Sequence, residues 1–389
     1  MDALILSCGT GGGHDSAARA IQAELSARGH RVEMLNPYTL KEGSMAAVVD
    51  YAYIRLVQKS PAAFGAVYYL GNLYRRLPIH SPVYLLNGSM VPYLERYLAE
   101  NAFDAVIMTH LYPAEIMTKI KRKGSCVPKT VFIATDYACI PFTEETDCDY
   151  YIIPAKELTD DFVRRGIPKE KLYPLGIPVQ APFSTPQDKS AAKVSLGLDQ
   201  NRKYIVVAGG SIGAGHVTQI IGLLLEHYSR DKVELIVICG NNHDLFEKAS
   251  AAYGDRCTVL SHTTKMAEYL KACDLFISKP GGLSSTEAAV SGTALIHISP
   301  IPGCETLNMR FFDRYGMCVA VSSPKRQLTS ACDMLMSETL KNSLKNNQQS
   351  TIHSTAAKDI CDLLEEKCPK KAQIPSGSQH VYGQVYLRA

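Results

Sequence analysis

Tryptophan is absent from the 389 residues. So is any run of about 18 apolar residues, so no segment reads as a membrane-spanning helix. The twelve cysteines never fall as C-x-x-C, and no Cys/His group has zinc spacing. Scattered in this way they read as reduced core thiols of a cytosolic protein. The start of the chain has no basic segment, and Ala3–Leu6 is far too short for a signal core. A net charge of +3 supplies no strong global field and gives no argument for nucleic acid as a partner. What remains, 46% apolar and 20% charged residues, is the composition of a soluble globular protein. The length suggests two domains.

A strand, a glycine turn and a helix recur three times. In the stretch Leu275 to Gly292, the apolar run Leu275–Ser278 reads as a buried strand that Pro280-Gly281-Gly282 ends. Ser284, Ser285 and Thr286 are expected to cap a helix with Glu287 in its first turn and its end at Gly292. Free N–H groups and the positive end of the helix dipole suit an anion such as a diphosphate. Glu287 is then placed to accept hydrogen bonds from a diol such as a ribose. The plain alternative is a βα turn whose acidic residue favours the dipole.

The chain opens with a similar device: strand Ala3–Leu6, loop Ser7 to His14, helix Asp15–Arg28. A dinucleotide fingerprint starting at Gly9 and Gly11 would need a third glycine at position 14, where His14 stands. A histidine directly after Gly11-Gly12-Gly13 can sit at the helix N-terminus and serve as general base toward a hydroxyl. The third copy is strand Tyr204–Ala208, a loop containing Gly210, Ser211 and Gly213, and helix Val217–Tyr228.

Between these, Lys41–Leu98 has no clean strand and interleaves tyrosines with bases, among them Tyr84, Arg96 and Tyr97. Ordinary inward packing is the plain reading of any single tyrosine. The segment as a whole is expected to face an anionic membrane surface. Asp104–Thr109 and Thr130–Ala134 are further buried strands, followed by His110 and by Thr135-Asp136-Tyr137, at positions that face a ligand crevice. Gln180 to Lys203 is polar and carries Pro182 and Pro186, as a domain boundary does. The expected organisation is α/β: a domain over 1–180, a linker over 181–203, a second domain over 204–368 and a loose polar tail over 369–389. Two Rossmann-like domains facing each other across a cleft suit a bisubstrate transfer.

The motifs GTGGGHDSAARAI, ATDY, VAGGSIGAG and KPGGLSSTEAAVSG followed by PIPGCETLN resemble the GT-B glycosyltransferases of family 28. The likeness is nearest to the monogalactosyldiacylglycerol synthases and processive diacylglycerol β-glucosyltransferases, and it covers about residues 1–365. The resemblance implies an inverting transferase that moves a hexose from UDP-glucose or UDP-galactose to diacylglycerol. It implies a UDP-sugar site with Gly210, Ser211, Gly213, Gly281 and Gly282 at the diphosphate. Glu287 would take the ribose, Thr263 and Met266 the uracil, and Glu305 and Asn308 the hexose hydroxyls. His14, with Gly11, Gly12, Gly13 and Asp136, would form the acceptor side, with His14 deprotonating the diacylglycerol hydroxyl. It implies no tightly bound metal or other cofactor, and a peripheral position on the cytosolic face of the cell membrane.

The sequence departs from the family where Ala138-Cys139 follows the T-D-Y in place of the usual His, and where Cys304 replaces the usual Gln. The first bears on the acceptor, the second on the hexose. Other readings are transfer to a polyprenyl-linked acceptor and a non-catalytic UDP-sugar sensor. A dinucleotide oxidoreductase fits poorly, since Glu33 lies inside its strand and not at the end.

Overall fold

The computed structural model describes residues 1–9, 12–41, 71, 80–210 and 217–370. Gly11, Ser211, Gly213, most of the Tyr-rich segment and nearly all of the polar tail lie outside the described residues.

Short apolar runs that are buried on both faces form parallel strands. The first sheet comprises β1 (Asp2–Leu6), β2 (Arg31–Leu35), β3 (Ala105–Met108), β4 (Lys129–Ile133), β5 (Tyr150–Ile152) and β6 (Leu172–Tyr173). Its order is β2-β1-β3-β4-β5-β6, parallel throughout. The second comprises β7 (Lys203–Ala208), β8 (Val233–Ile238), β9 (Thr258–Leu260), β10 (Leu275–Ser278), β11 (Leu295–Ile298) and β12 (Val319–Val321). Its order is β12-β11-β10-β7-β8-β9, again parallel. Strand order reverses at β1/β3 and at β7/β10, and ligand crevices open at the carboxyl ends of such strands. The two expected Rossmann-like units are both present.

Five helices matter for the site: α1 (Gly12–Ala27), α2 (Leu111–Arg122), α3 (Gly282–Val290), α4 (Cys304–Arg314) and α5 (Ala356–Lys367). One apolar cluster is shared by the two units and includes Leu6, Tyr137, Phe276, Leu283 and Phe312. Helix α5 belongs to the second half in sequence but packs on the first sheet. Ile360, Cys361 and Leu364 join Ala3, Ile5 and Ile21 in one core. Arg28 anchors this return through Asp362 at 2.7 Å and Glu365 at 3.1 Å. Within the polar boundary, helix Lys189–Ser195 is tied to the second unit by Lys189 and Asp274 at 2.5 Å.

Ten of the twelve cysteines are buried, and none is in a disulfide. No helix among the described residues is long and apolar enough to cross a membrane.

Candidate active site

Helix α1 begins at Gly12, three residues before the start expected from the sequence, so His14 stands in its first turn. Asp15 closes the loop by accepting from Ser7 Oγ at 2.6 Å. His14 Nδ1 lies 2.7 Å from the carbonyl oxygen of Thr109 at the end of β3. A carbonyl only accepts, so Nδ1 carries the proton and Nε2 is left with a free lone pair. Thr135 Oγ1 is also 2.9 Å from Nδ1. The His110 ring packs edge-on to His14 with centroids 4.5 Å apart. Its Nδ1 accepts from the Tyr112 backbone N–H at 3.1 Å and so caps α2. Burial, reinforced by His14, drives the His110 pKa well below the usual value, so the ring is neutral.

Thr135-Asp136-Tyr137 follows β4 and reaches into the second unit. Asn308 on α4 is fully buried, and its carboxamide is spent on this contact. Oδ1 accepts from the Tyr137 N–H at 2.7 Å, and Nδ2 donates to Asp136 Oδ1 at 2.8 Å and to the Pro280 carbonyl at 3.0 Å. The Tyr137 ring is held between Phe311 and Phe312, both at 4.9 Å between centroids, and its hydroxyl meets Thr286 Oγ1 at 2.7 Å.

Helix α3 starts at Gly282 with Gly281 as its N-cap, and no side chain caps it. The cap expected from Ser284, Ser285 and Thr286 is therefore not formed, and Glu287 falls in the second turn. The reason is tertiary: a Cβ on Gly282 would lie 1.8 Å from the Thr135 carbonyl oxygen, so only glycine lets the helix begin against the turn. Ser285 instead meets His297 Nε2 at 2.9 Å, and Thr286 donates to the Gly282 carbonyl at 2.7 Å. Glu287 Oε1 faces Ser16 Oγ of α1 at 3.4 Å across the units. Burial lifts its pKa to about 8.

Lys279, which directly follows β10, sits beside Gly210 and Glu305. A Cβ on Gly210 would be 3.7 Å from Lys279 Cε, and Lys279 Nζ donates to Glu305 Oε1 at 3.1 Å. Glu305 Oε2 also accepts from the Ile301 N–H at 2.7 Å. Gly303 has φ 118, a conformation that favours glycine, and it turns the chain into α4. Met266 opens helix Met266–Ala272, and Thr263 Oγ1 accepts from the Lys265 N–H at 3.1 Å just before it. Gly13 packs toward Leu283 of α3, a prospective Cβ contact of 3.7 Å. The structure thus brings His14, Gly12, Gly13 and Asp136 to one side of the cleft. Gly210, Gly281, Gly282, Glu287, Glu305 and Asn308 lie at its junction with the other.

A cavity of ≈ 200 Å³ opens beside His14. Its wall is mainly apolar, with Leu111, Phe132, Ile140, Phe142 and Phe162, and its polar rim holds His14, Thr135 and Asp136. Cys304 also lines it. Burial, with Asp136 and Glu305 nearby, holds that thiol well above its usual pKa, so it is a neutral group there. On the outer face of the same unit Leu85 and Leu86 are 61% and 74% exposed. Tyr84 beside them is buried instead, under Lys119 Nζ at 4.0 Å and hydrogen bonded by Arg122 at 2.9 Å. Inward packing therefore holds for Tyr84, and likewise for Tyr97, which stacks on Phe103 and donates to Glu33.

The sequence places Thr135 at the crevice without assigning its side chain a task, and it assigns none to Thr109 or Lys279. Lys279 was visible as the first residue of KPGG; the other two gain meaning only when β3 and β4 lie side by side. The sequence also contains one D-x-D run, Asp147-Cys148-Asp149. It precedes β5, at the sheet end opposite the cleft, and its carboxylates are paired with Lys121, Lys129 and Lys171.

Two facing Rossmann-like units with a histidine at one crevice and a glycine-bounded helix N-terminus at the other define a GT-B transferase. The chain matches two family models, monogalactosyldiacylglycerol (MGDG) synthase over residues 14–179 and the glycosyltransferase family 28 C-terminal domain over residues 204–364. It belongs to glycosyltransferase family 28, with a first half of the MGDG synthase type. It is 25% identical over 370 residues to the processive diacylglycerol beta-glucosyltransferase of Bacillus pumilus, covering 94% of each chain. It is 24% identical to the protein of the same name from Bacillus subtilis, covering 93% of this chain and 94% of the relative. Among solved structures it superposes on Acinetobacter baumannii MurG with a TM-score of 0.60 at 17% identity, covering 94% of this chain and 99% of that one. It superposes on the UDP complex of S. aureus MnaA with a TM-score of 0.62 at 12% identity, covering 94% and 96%. These two likenesses speak to the fold.

Proposed function

We propose that the protein transfers a hexose from UDP-glucose or UDP-galactose to the free hydroxyl of diacylglycerol, with inversion, to give a β-glycosyl-diacylglycerol. The observation that carries this reading is the 2.7 Å contact of His14 Nδ1 with the Thr109 carbonyl at the edge of an apolar cavity, which puts the proton on Nδ1 and leaves Nε2 without a partner among the described residues. The relatives' names supply the acceptor and the sugar class.

In this reading the diacylglycerol hydroxyl gives its proton to His14 Nε2 as its oxygen bonds to the anomeric carbon. The bond from that carbon to the diphosphate oxygen breaks, and UDP leaves. The uncapped N-terminus of α3, the glycines around Gly210, Ser211, Gly213, Gly281 and Gly282, and Lys279 stabilise the departing charge without a tightly bound metal. Glu287 receives the ribose, Thr263 and Met266 the uracil, and Glu305 the hexose hydroxyls, releasing Lys279 to the diphosphate. The apolar wall takes the glyceride next to the reacting hydroxyl. Leu85 and Leu86, with Lys119 and Arg122 close by, support a peripheral seat on an anionic bilayer. There each base near the surface adds about 1 kcal/mol.

The test compares acceptors. Purified protein with either UDP-hexose is given micelles of diacylglycerol or of a polyprenyl-linked acceptor in anionic lipid, and UDP release and lipid products are followed. Product in the diacylglycerol micelles alone is expected. Product only with the polyprenyl lipid would replace the acceptor. UDP-sugar binding with no product in either would point to a sensor.

A further inference from the structure

We propose that the turn Thr135-Asp136-Tyr137 is a positioning relay, gripped by the second unit and setting the ring of His14 through Thr135. The inference rests on His14 being the base.

Two contacts orient the imidazole. One, the Thr109 carbonyl, belongs to the backbone at the end of β3 and is fixed by the sheet. The other, Thr135 Oγ1, sits on the turn. That turn has few anchors of its own and many in the opposite unit. Asn308 holds the Tyr137 N–H and the Asp136 carboxylate and ties both to the Pro280 carbonyl beside the α3 N-terminus. The Tyr137 ring is 2% exposed and seated between two phenylalanines of α4, with its hydroxyl on Thr286 of α3. Gly282 lies directly against the Thr135 carbonyl. The second unit thus determines where Thr135 Oγ1 stands.

This assigns Asn308 a task different from holding hexose hydroxyls. A carboxamide has two N–H donors and one carbonyl oxygen, and here both donors and the oxygen are engaged by the protein. Asn308, Tyr137 and Thr135 are positioning residues: they act through His14, and none needs to touch substrate. A chemical purpose follows. A base aligned only when the donor-binding unit is seated does not activate water while the cleft is open, which protects the UDP-sugar from hydrolysis.

The test is a double-mutant cycle on turnover. Thr135→Val keeps the shape and removes the oxygen; Thr135→Ser restores it. Asn308→Ala releases the turn. Thr135→Val and Asn308→Ala are each expected to lower kcat by about tenfold with KM for UDP-glucose within about twofold, since the loss is of alignment in the transition state and not of donor binding. Thr135→Ser is expected to recover most of the rate. The double variant is expected to be no slower than the slower single one. If Asn308→Ala does not fold, Tyr137→Phe, which loses only the bond to Thr286, takes its place in the cycle. Wild-type kcat in Thr135→Val, or losses that multiply in the double variant, would overturn the relay. Full turnover in His14→Ala would overturn the base assignment itself, a distinct outcome.

Discussion

Substituting Gly282 by alanine tests whether the interlocked arrangement of the two units is the working one. The added Cβ would stand 1.8 Å from the Thr135 carbonyl oxygen, 2.9 Å from its carbon and 3.3 Å from Asp136 Cα. Non-bonded heavy atoms settle near 3.5 Å, so the turn and α3 must separate by roughly 1.7 Å. All three clashing atoms are backbone, so no rotamer change relieves them. The separation disturbs the apolar cluster that the two units share around Tyr137 and Leu283, but the cluster around Ile205, Ile221 and Ile277 and the one around Ile5, Ile107 and Ile360 do not include this site, so the fold of each unit is expected to survive. The seating of Tyr137 and the alignment of His14 are not. Misplacement of about 1 Å at a reacting centre costs on the order of 10²-fold in rate, and a loss of that size in kcat is expected. Small-angle scattering should show a more open particle, and the melting midpoint should fall. Wild-type turnover with unchanged scattering would refute the reasoning, because the packing at Gly282 would then be irrelevant to catalysis.

Other outcomes follow from the same geometry. His14→Ala should lower kcat by about 10²–10⁴-fold, the usual worth of a general base, while calorimetry finds UDP-sugar affinity nearly unchanged; equal loss of both would make the residue structural. Glu115 is fully buried, with Asn87 donating to Oε2 and, among the described residues, no partner on Oε1, and burial raises its pKa from 4.5 to about 8. In the unfolded chain the carboxyl ionises first, so its contribution to stability is full below pH 4.5 and is lost as pH rises toward 8. Glu115→Gln should flatten that decline, by about 1–3 kcal/mol at high pH in denaturant titrations; parallel curves for both proteins would contradict it. Glu287, also lifted to about 8, is expected to release a proton when ribose hydroxyls reach its carboxylate. Calorimetry at pH 7 in buffers of different ionisation enthalpy should show this for wild type and not for Glu287→Gln; buffer-independent heats in wild type would speak against it.

The βα alternation was legible because strands buried on both faces are continuous apolar runs, as in Ala105–Met108 and Leu275–Ser278. Glycine loops at strand ends marked both crevices, and His14 stood out because it occupies a position where a dinucleotide loop needs glycine. What was not legible depends on distant partners. The N-terminus of α3 looked as if Ser284–Thr286 would cap it, yet it is fixed by a turn from the other unit. The tautomer of His14 depends on a carbonyl 95 residues away, and the engagement of Asn308 on a peptide 171 residues away. Helix α5 carries an ordinary amphipathic pattern, and nothing in that pattern names the first sheet as its surface. Tyr84 and Tyr97 show why composition alone misleads: a tyrosine among bases can pack inward with its hydroxyl paired, while Leu85 and Leu86 take the exposed positions.

The central claim is that a hexose reaches the hydroxyl of diacylglycerol through a base on α1. The direct measurement is the structure of the lipid product. Protein, diacylglycerol in anionic micelles and UDP-glucose or UDP-galactose are incubated, and the extracted lipid is identified by mass and by the anomeric proton coupling. A β-linked hexosyl-diacylglycerol, formed by the wild type and absent with His14→Ala, is expected. An α-linked product, or the same β-product at the same rate from His14→Ala, would contradict the account.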